Sequence, residues 1–263
     1  MGFDRLQFDT ALLNFSGDRK KLKLSVHIFD RIASTNQKLW EFIDRGHTLP
    51  IVAIASQQTA GRGQWGRYWQ SLPGGLYLSV ALATQIKAID APHLTLSSAW
   101  GIANALRNNN IPIVVKWPND LILQKGKLGG IKTEVRTREG EITQAVIGVG
   151  INWTNPVPDM GINLESFFKQ QPNTSSITSL EILAATTTVG ILSGYQRYIA
   201  EGIETLLASY LEILDSMGHS VVINGCPGEV VGVTSQGELR VRMRSPGTVT
   251  EICLQPGQIS LGY

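Results

Sequence analysis

Four strand-like segments follow one another between residues 113 and 149, and most of the joins between them are short. The segments cover residues 113–116, 121–123, 131–135 and 142–149. A parallel connection needs a crossover of a dozen or more residues, so neighbours joined this tightly should pair antiparallel. Two further segments, 51–55 and 76–82, have the apolar run or the period-two alternation of strands. The chain is therefore predicted to fold around a largely antiparallel sheet.

Three helices are predicted beside this sheet. The runs 34–37 and 178–181 have the capping-box pattern, a Ser or Thr followed three residues later by Gln or Glu. The second pattern continues to about Met217, with a break expected near Gly202. Pro92 stands where a first-turn proline is tolerated, ahead of apolar residues at helical spacing. Helices together with an antiparallel sheet indicate the α+β class.

The remaining segments differ from these in residue composition and in the spacing of turn residues. Residues 1–24 are polar, with a basic cluster at 19–23, and are expected to form a loose arm that ends in a first strand. Residues 153–177, rich in Asn, Pro, Ser and Gln, are predicted to form a long loop. Near the C-terminus, turns separate five short strand candidates, which is typical of a small barrel. We therefore predict two domains, residues 1–218 and 219–263.

Composition narrows the class of protein. Hydrophobic residues make up 43% of the chain and charged residues 17%, as in a globular protein with a core. The net charge of +2 does not indicate a nucleic-acid partner. Cys226 and Cys253 are too few for a structural zinc site and are expected to be buried. With no leader pattern and no apolar run of about 18 residues, no membrane partner is expected and the cytoplasm is the predicted location.

Residues 57–69 form a glycine-rich segment that contains Arg62 and Arg67 and two tryptophans. Its core matches G-x-G-x-x-G, but residues 71–75, with one Pro and two Gly, cannot continue as the helix that a dinucleotide-binding fingerprint requires. Glycine N–H groups and arginine forks do bind phosphate. For this segment taken alone, a phosphate-binding loop and an ordinary surface turn both stay open.

Three further segments carry candidate ligand-binding groups. Residues 116–120 (Lys-Trp-Pro-Asn-Asp) offer an ammonium, a carboxamide and a carboxylate at a strand end, a set suited to phosphate and Mg²⁺. Lys127 precedes a double glycine and comes near Asn119 if the flanking strands pair. Residues 147–152 (Ile-Gly-Val-Gly-Ile-Asn) contain two glycines, whose missing side chains would let a strand pass close beneath a ligand. Taken singly, the alternatives are a polar turn, a solvated lysine and tight packing.

In this order and with this spacing, the segments resemble those of biotin protein ligases. The resemblance extends from about residue 25 to the end and rests on residues 34–36, 61–69, 116–120, 127–131 and 148–152. It implies a catalytic domain related to class II aminoacyl-tRNA synthetases, with a mixed, antiparallel-rich sheet and helices, followed by a small SH3-like β-barrel. It also implies an ATP-dependent ligase. Biotin and ATP would give biotinyl-5′-AMP, and biotin would then pass to a lysine of the biotin carboxyl carrier protein of acetyl-CoA carboxylase.

The resemblance also implies roles for the matching residues of this sequence. Biotin would contact Ser34, Thr35, Asn36, Gln58, Gly61, Arg62, Gly63, Gln64 and Lys127. ATP would contact Arg62, Arg67, Trp69, Lys116, Asn119 and Asn152, and Asp120 would hold Mg²⁺. Lys127, Arg62 and Lys116 would be catalytic, because they bring positive charge to the place where the biotin carboxylate meets the α-phosphate.

Two departures from the family pattern matter. Many members carry a further arginine where this sequence has Gln64, so weaker retention of the adenylate is predicted. Some members carry an N-terminal helix-turn-helix domain and repress transcription. About 25 residues precede the matching segments here, so a ligase without that repressor domain is expected. The sequence leaves the oligomeric state open, a homodimer included.

Two rival functions stay open. A lipoate-type ligase has a related fold and chemistry, although Trp117 and the Gly-Arg-Gly loop favour biotin through the resemblance. A nucleic-acid binder is the other rival, because Arg240, Arg242 and Arg244 alternate on one predicted strand and share a face. Three charges without interleaved aromatic residues make a thin binding surface, so a solvated barrel face is favoured.

Overall fold

The computed structural model describes residues 2–15, 24–172, 175–245, 248–259 and 261. In this part of the chain the main sheet has seven strands: β1 Ser25–Ile32, β2 Ile51–Gln58, β3 Leu76–Lys87, β4 Val114–Lys116, β5 Asp120–Leu123, β6 Gly126–Arg138 and β7 Glu141–Ile151. Their order across the sheet is β1-β2-β3-β7-β6-β5-β4. β1 and β2 pair parallel and the other neighbours pair antiparallel. The predicted mixed, antiparallel-rich sheet is confirmed.

Helices cover both faces of this sheet. They are α1 Arg5–Phe15, α2 Thr35–Asp44, α3 Ala91–Arg107, α4 Leu164–Gln170 and α5 Leu180–Leu211. Leu39 of α2 packs against Ala81 on one face, whereas Leu78 and Val80 pack in the larger core that α3 and α5 share. Because side chains alternate along a strand, Ser79 lies on the face of β3 that α2 covers. Ser79 is thereby placed near the N-terminus of α2.

Helix α5 confirms one prediction and corrects another. Gly202 leaves helical geometry, with φ 81° and ψ 173°, so the expected break is present. The helix is capped by Ser179 and not by Thr178, because Ser179 is the extended residue whose Oγ accepts the N–H of Ile182.

Two segments are more ordered than the sequence analysis predicted. The expected loose arm is wrong for Arg5–Phe15, which form α1, because Phe8 and Leu12 are buried in the main core. The basic cluster at 19–23 lies outside the described residues. The expected long loop is wrong for Leu164–Gln170, which form α4 with Leu164 and Phe167 buried. In both segments a short apolar stripe gains stability from tertiary contact and not from propensity.

The C-terminal part forms a small antiparallel sheet of β8 Ser220–Ile223, β9 Cys226–Val233, β10 Leu239–Ser245 and β11 Thr248–Leu254, in the order β11-β10-β9-β8. This sheet fits the predicted SH3-like domain, although the described residues contain four of the five expected strands. Val230 and Val241 belong to the same core as the main sheet. The domain division after residue 218 stays a prediction.

Side chains on the small sheet settle two points. Cys226 and Cys253 are exposed, so the expectation that they are buried is wrong. Cys253 pairs with Arg240 on the face opposite Val241, and Cys226 is the first residue of β9, at the end of the strand. The three arginines of β10 form ion pairs with neighbouring strands: Arg240 and Arg242 with Glu251, and Arg244 with Glu229. Those carboxylates also reduce the positive charge that a nucleic-acid surface would need. Among the described residues, no helix is long and apolar enough to cross a membrane.

Candidate active site

One cavity of about 940 Å³ brings the candidate segments together. It is bounded by the start of α2, the end of β2, the glycine-rich loop, the β4–β5 turn, strands β6 and β7, the segment that precedes α4, and the segment after β11 with Gly257, Ile259 and Leu261. Fourteen of the candidate residues line it: Ser34, Thr35, Asn36, Gln58, Arg62, Gly63, Gln64, Arg67, Trp69, Lys116, Asn119, Asp120, Lys127 and Asn152. Gly61 is the exception. Gly61 is a buried residue of the loop itself, and a Cβ at this position would lie 2.5 Å from Ser71 Oγ and from the Trp69 carbonyl oxygen.

The strand register explains the floor of the cavity. Ser79 of β3 pairs with Gly148 of β7, which pairs in turn with Lys132 of β6. Two residues further along β7, on the same face of the sheet, Gly150 pairs with Gly130 of β6. A Cβ on Gly148 would collide with the side chain of Asn36, and a Cβ on Gly150 would collide with the indole of Trp69. The glycines therefore admit two side chains of the site, so the tight-packing alternative accounts for them.

A hydrogen-bonded cluster of neutral side chains occupies one end of the cavity. Gln58 Oε1 accepts hydrogen bonds from the N–H of Thr35 at 2.8 Å and from its hydroxyl at 3.1 Å. Gln58 Nε2 donates to Ser71 Oγ at 3.0 Å. Helix α2 begins as predicted, but Ser34 makes no side-chain cap hydrogen bond. Gln58 accepts the N–H of Thr35, the first residue of the helix. The Ser34 hydroxyl thus lines the cavity without serving the helix.

Asn36 is held from both sides. Its Oδ1 lies 2.6 Å from Ser79 Oγ, and its Nδ2 donates to Glu134 Oε2 at 3.0 Å. Glu134 also accepts from Trp40 Nε1 at 3.1 Å and pairs with Lys132 Nζ at 2.9 Å. Burial opposes ionisation of Glu134, but these three donors hold its pKa below the ordinary value. The network fixes the orientation of the Asn36 amide at the cavity.

Sequence reasoning missed Glu134, Lys132 and Ser79. Gly130, Lys132 and Glu134 are every second residue of β6, so they lie on one face of that strand. Ser79 of β3 lies on the same face of the sheet. That alternation, opposite the glycines of β7, was the available signal. It is weak, because lysine and glutamate on a strand usually lie on a solvated face.

A charged cluster occupies another part of the cavity. Lys127 Nζ forms an ion pair with Asp120 Oδ1 at 2.7 Å and lies 5.6 Å from the centre of the Trp69 ring. The pairing of β5 and β6 that was predicted to bring Lys127 to this turn is present, with a register shift between Leu121 and Ile122. Partial burial lowers the pKa of Lys116, and nearby Lys127 acts in the same direction, whereas Asp120 and Asp215 oppose the shift.

Two carboxamides of the candidate set are engaged by the protein. Asn119 Nδ2 donates to the Ile131 carbonyl at 2.8 Å. Asn152 Nδ2 donates to the carbonyls of Lys127 and Ile162 at 3.3 and 3.2 Å, and its Oδ1 accepts from Asn155 at 3.0 Å. Contact of Asn152 with phosphate, which stays a prediction, would have to compete with these bonds.

The glycine-rich loop is a tight, exposed hairpin. Gly63 N–H donates to the Arg67 carbonyl at 2.7 Å, and Trp69 N–H donates to the Gly61 carbonyl at 3.0 Å. Arg62 and Arg67 are exposed at its edge. Gln64 Nε2 lies 3.5 Å from the Ile131 carbonyl, at the limit of a hydrogen bond. The loop thus presents cations to the cavity from one side.

Comparison with known proteins relates this chain to a ligase family. Residues 28–152 match the model of the biotin/lipoate A/B protein ligase family. The match covers a little less than half of the chain, 125 of 263 residues. It is also 28% identical over 220 residues to the bifunctional ligase/repressor BirA of Bacillus spizizenii, covering 80% of this chain and 67% of that protein. It is 42% identical over 133 residues to BirA of Escherichia coli, covering 49% of this chain and 40% of that one. The match thus spans two thirds or less of these curated relatives.

The fold has solved counterparts. A biotin protein ligase from Aquifex aeolicus, solved in complex with biotin and ATP, superposes with a TM-score of 0.68. The match covers 87% of this chain and 95% of that chain, at 22% sequence identity. At this identity the likeness shows the fold. The main sheet with its helices, followed by a small antiparallel sheet, is the biotin protein ligase architecture.

Proposed function

We propose that this protein is an ATP-dependent biotin protein ligase. It forms biotinyl-5′-AMP from biotin and ATP and transfers biotin to a lysine of an acceptor protein. The observation that carries the proposal is the division of one cavity into a neutral hydrogen-bonding cluster and a cationic cluster. Biotin has the same division, since it joins a neutral ureido ring to a carboxylate.

The neutral cluster suits the ureido ring. Ser34, Thr35 and Asn36 supply hydroxyl and carboxamide groups at the N-terminus of α2, and Gln58 and Ser79 hold them in place. A ureido group carries two N–H donors and one carbonyl acceptor, so it can pair with such groups. The biotin carboxylate would then extend toward Lys127.

The cationic cluster suits the first chemical step. The biotin carboxylate attacks the α-phosphorus of ATP, the bond to the bridging oxygen breaks, and pyrophosphate leaves. Arg62, Lys116 and Lys127 oppose the repulsion between the two anions. Each unit charge at about 4 Å is worth about 4 kcal/mol under an effective dielectric of about 20. No protein nucleophile is needed, because the carboxylate itself attacks.

The second step uses the mixed anhydride. The neutral amine of an acceptor lysine attacks the biotinyl carbonyl carbon, AMP leaves with the bonding electrons, and the amine loses a proton. We propose the biotin carboxyl carrier protein of acetyl-CoA carboxylase as the acceptor, on the resemblance described above. Exposed Arg62 and Arg67 line the cavity beside the adenylate phosphate in this arrangement.

Mg²⁺ fits this site only as a partner of the nucleotide. The described residues contain no group of three or more His, Cys, Asp or Glu side chains that could hold a metal. Asp120 offers one carboxylate, and Mg²⁺ commonly binds through one or two carboxylates together with substrate phosphates. When bound, the ion would neutralise phosphate charge, and Asp120 is the residue that would hold it.

The neutral cluster also argues against the related lipoate chemistry. A dithiolane ring has neither N–H groups nor a carbonyl. Its binding would cover the hydroxyl of Ser34, which makes no cap hydrogen bond, without supplying a new partner. Biotin is therefore the better substrate for this cavity.

The test is pyrophosphate exchange into ATP with purified protein and biotin, lipoate or no acid. We expect exchange that depends on biotin. Exchange with lipoate alone would refute biotin as the substrate but would support the adenylation step. No exchange with either acid would refute the proposed function.

A further inference from the structure

Trp117 differs from the other residues of the β4–β5 turn, residues 116–120. It is 5% exposed, and its Nε1 donates a buried hydrogen bond of 2.9 Å to the carbonyl of Gly237. Gly237 lies in the turn between β9 and β10 of the small sheet. A segment predicted to bind phosphate is thus joined to the C-terminal sheet across 120 positions of sequence.

The turn that carries Gly237 is itself rigid. Thr234 N–H donates to the Glu238 carbonyl at 2.8 Å, and Gly237 N–H donates to the Thr234 carbonyl at 2.9 Å. Gly237 has φ +83°, and a Cβ there would lie 2.7 Å from Cβ of Pro92, at the start of α3. Buried His93 also hydrogen-bonds the Ser235 carbonyl. The acceptor for Trp117 is therefore fixed by α3.

The end of α5 holds the β4–β5 turn from another side. Tyr210, which is fully buried, donates its hydroxyl to the Pro118 carbonyl at 3.3 Å. Val115 N–H donates to the Ile213 carbonyl, and the Val115 carbonyl accepts from Asp215 N–H, both at 2.8 Å. The turn is thus supported by backbone contacts at its base and by the Trp117 bond at its tip.

We propose that the β9–β10 turn acts through Trp117 as a positioning element for the phosphate-binding turn. Trp117 lies between Lys116 and the pair Asn119 and Asp120, so its indole sets where those groups meet the nucleotide. The inference rests on the proposed function for the identity of the nucleotide. The small sheet would thereby contribute to ATP binding, although no residue of the β9–β10 turn lines the cavity.

The test compares Trp117→Phe, which keeps an aromatic ring and removes the donor, with Gly237→Ala, which disturbs the acceptor. Thr84→Val is the control, because Thr84 Oγ1 donates to the Ile142 carbonyl at 2.7 Å at a site outside the cavity lining. In pyrophosphate exchange, we expect the KM for ATP to rise about five- to tenfold in both variants, from the loss of one oriented hydrogen bond. The KM for biotin should stay within about twofold, and Thr84→Val should change neither KM.

Binding of a non-hydrolysable ATP analogue, measured by calorimetry, separates this inference from the proposed function. Weaker binding by Trp117→Phe than by Thr84→Val supports the positioning role even if the wild type fails to exchange with biotin. Equal losses of melting temperature in the three variants, with both KM values and analogue affinity unchanged, would overturn it. If Gly237→Ala does not fold, Trp117→Phe alone decides.

Discussion

Replacing Glu134 by Gln tests whether the neutral cluster is preorganised for the ureido ring. Glu134 accepts hydrogen bonds from Asn36 and Trp40 and pairs with Lys132. Gln has nearly the same shape but only one acceptor oxygen, and its amide nitrogen is a donor. Asn36 and Trp40 share Oε2 of Glu134, whereas Lys132 pairs with Oε1. The Gln amide nitrogen must therefore face either Lys132 or the two shared donors, so Asn36 is left with a neutral acceptor or with none.

The magnitude follows from the geometry. A hydrogen bond to a charged group contributes about 1.5–3 kcal/mol. The Glu134 side chain is 33% exposed, so solvent screening favours the lower end of that range. A loss of about 1.4 kcal/mol in binding corresponds to about a tenfold rise in KM for biotin. Turnover at saturating biotin should change by less than about twofold, since Glu134 would act on the ring and not on the reacting phosphate.

The assay is pyrophosphate exchange across a biotin titration, with Glu139→Gln as the control because Glu139 is exposed and outside the cavity lining. The pKa of Glu134 is lowered, so its carboxylate is charged above the unfolded value and loses charge only as pH falls through the lower folded value. A rise in the KM for biotin through the ordinary glutamate range should therefore come from biotin's own carboxyl group and appear equally in the wild type and in Glu134→Gln. An unchanged KM in Glu134→Gln would refute the orienting role.

Three further variants probe other parts of the cavity. Lys127→Ala should lower turnover by roughly 10²–10³, as for removal of one preorganised donor, and near-normal adenylation in single-turnover assays would exclude that role. Gln64→Arg should reduce leakage of adenylate, measured as labelling of bystander lysines, and equal labelling by wild type and variant would show that Gln64 does not weaken closure. Gly150→Ala should displace Trp69 at a cost of about 1–3 kcal/mol, seen as a lower melting temperature and a raised KM for ATP. A variant that kept both values would contradict the collision found at Gly150.

The sheet was predictable because its strands are joined by short turns. Fewer than ten residues separate each pair of consecutive segments between 113 and 149, too few for a parallel crossover, so antiparallel pairing is close to obligatory. Helix α1 was not predictable in the same way. Phe8 and Leu12 give it a narrow apolar stripe inside a polar segment, and the helix depends on packing against α5.

The candidate site was predictable where its chemistry is contiguous in sequence. The glycine-rich loop and residues 116–120 present several polar groups in one run, so pattern alone identifies them. Ser79 was missed because it is one polar residue within the apolar run of β3, and Glu134 because it is one of several polar residues along β6. The role of each depends on partners up to 98 positions away in sequence. Gln58 lines the cavity, and its amide is hydrogen-bonded to Thr35 and Ser71. Its predicted contact with biotin stays a prediction.

The charges of the cavity favour a divalent cation that arrives with the nucleotide. The described lining includes five basic side chains, Arg62, Arg67, Lys116, Lys127 and Lys132, and two carboxylates, Asp120 and Glu134. Lys132 and Glu134 pair with each other at 2.9 Å, and Asp120 pairs with Lys127 at 2.7 Å, so part of this charge is already compensated. A triphosphate and a biotin carboxylate together bring more negative charge than the remaining cations supply. Because buried, uncompensated charge is costly, we propose that an ion bound to the phosphates meets this deficit, with Asp120 as the carboxylate that would share it.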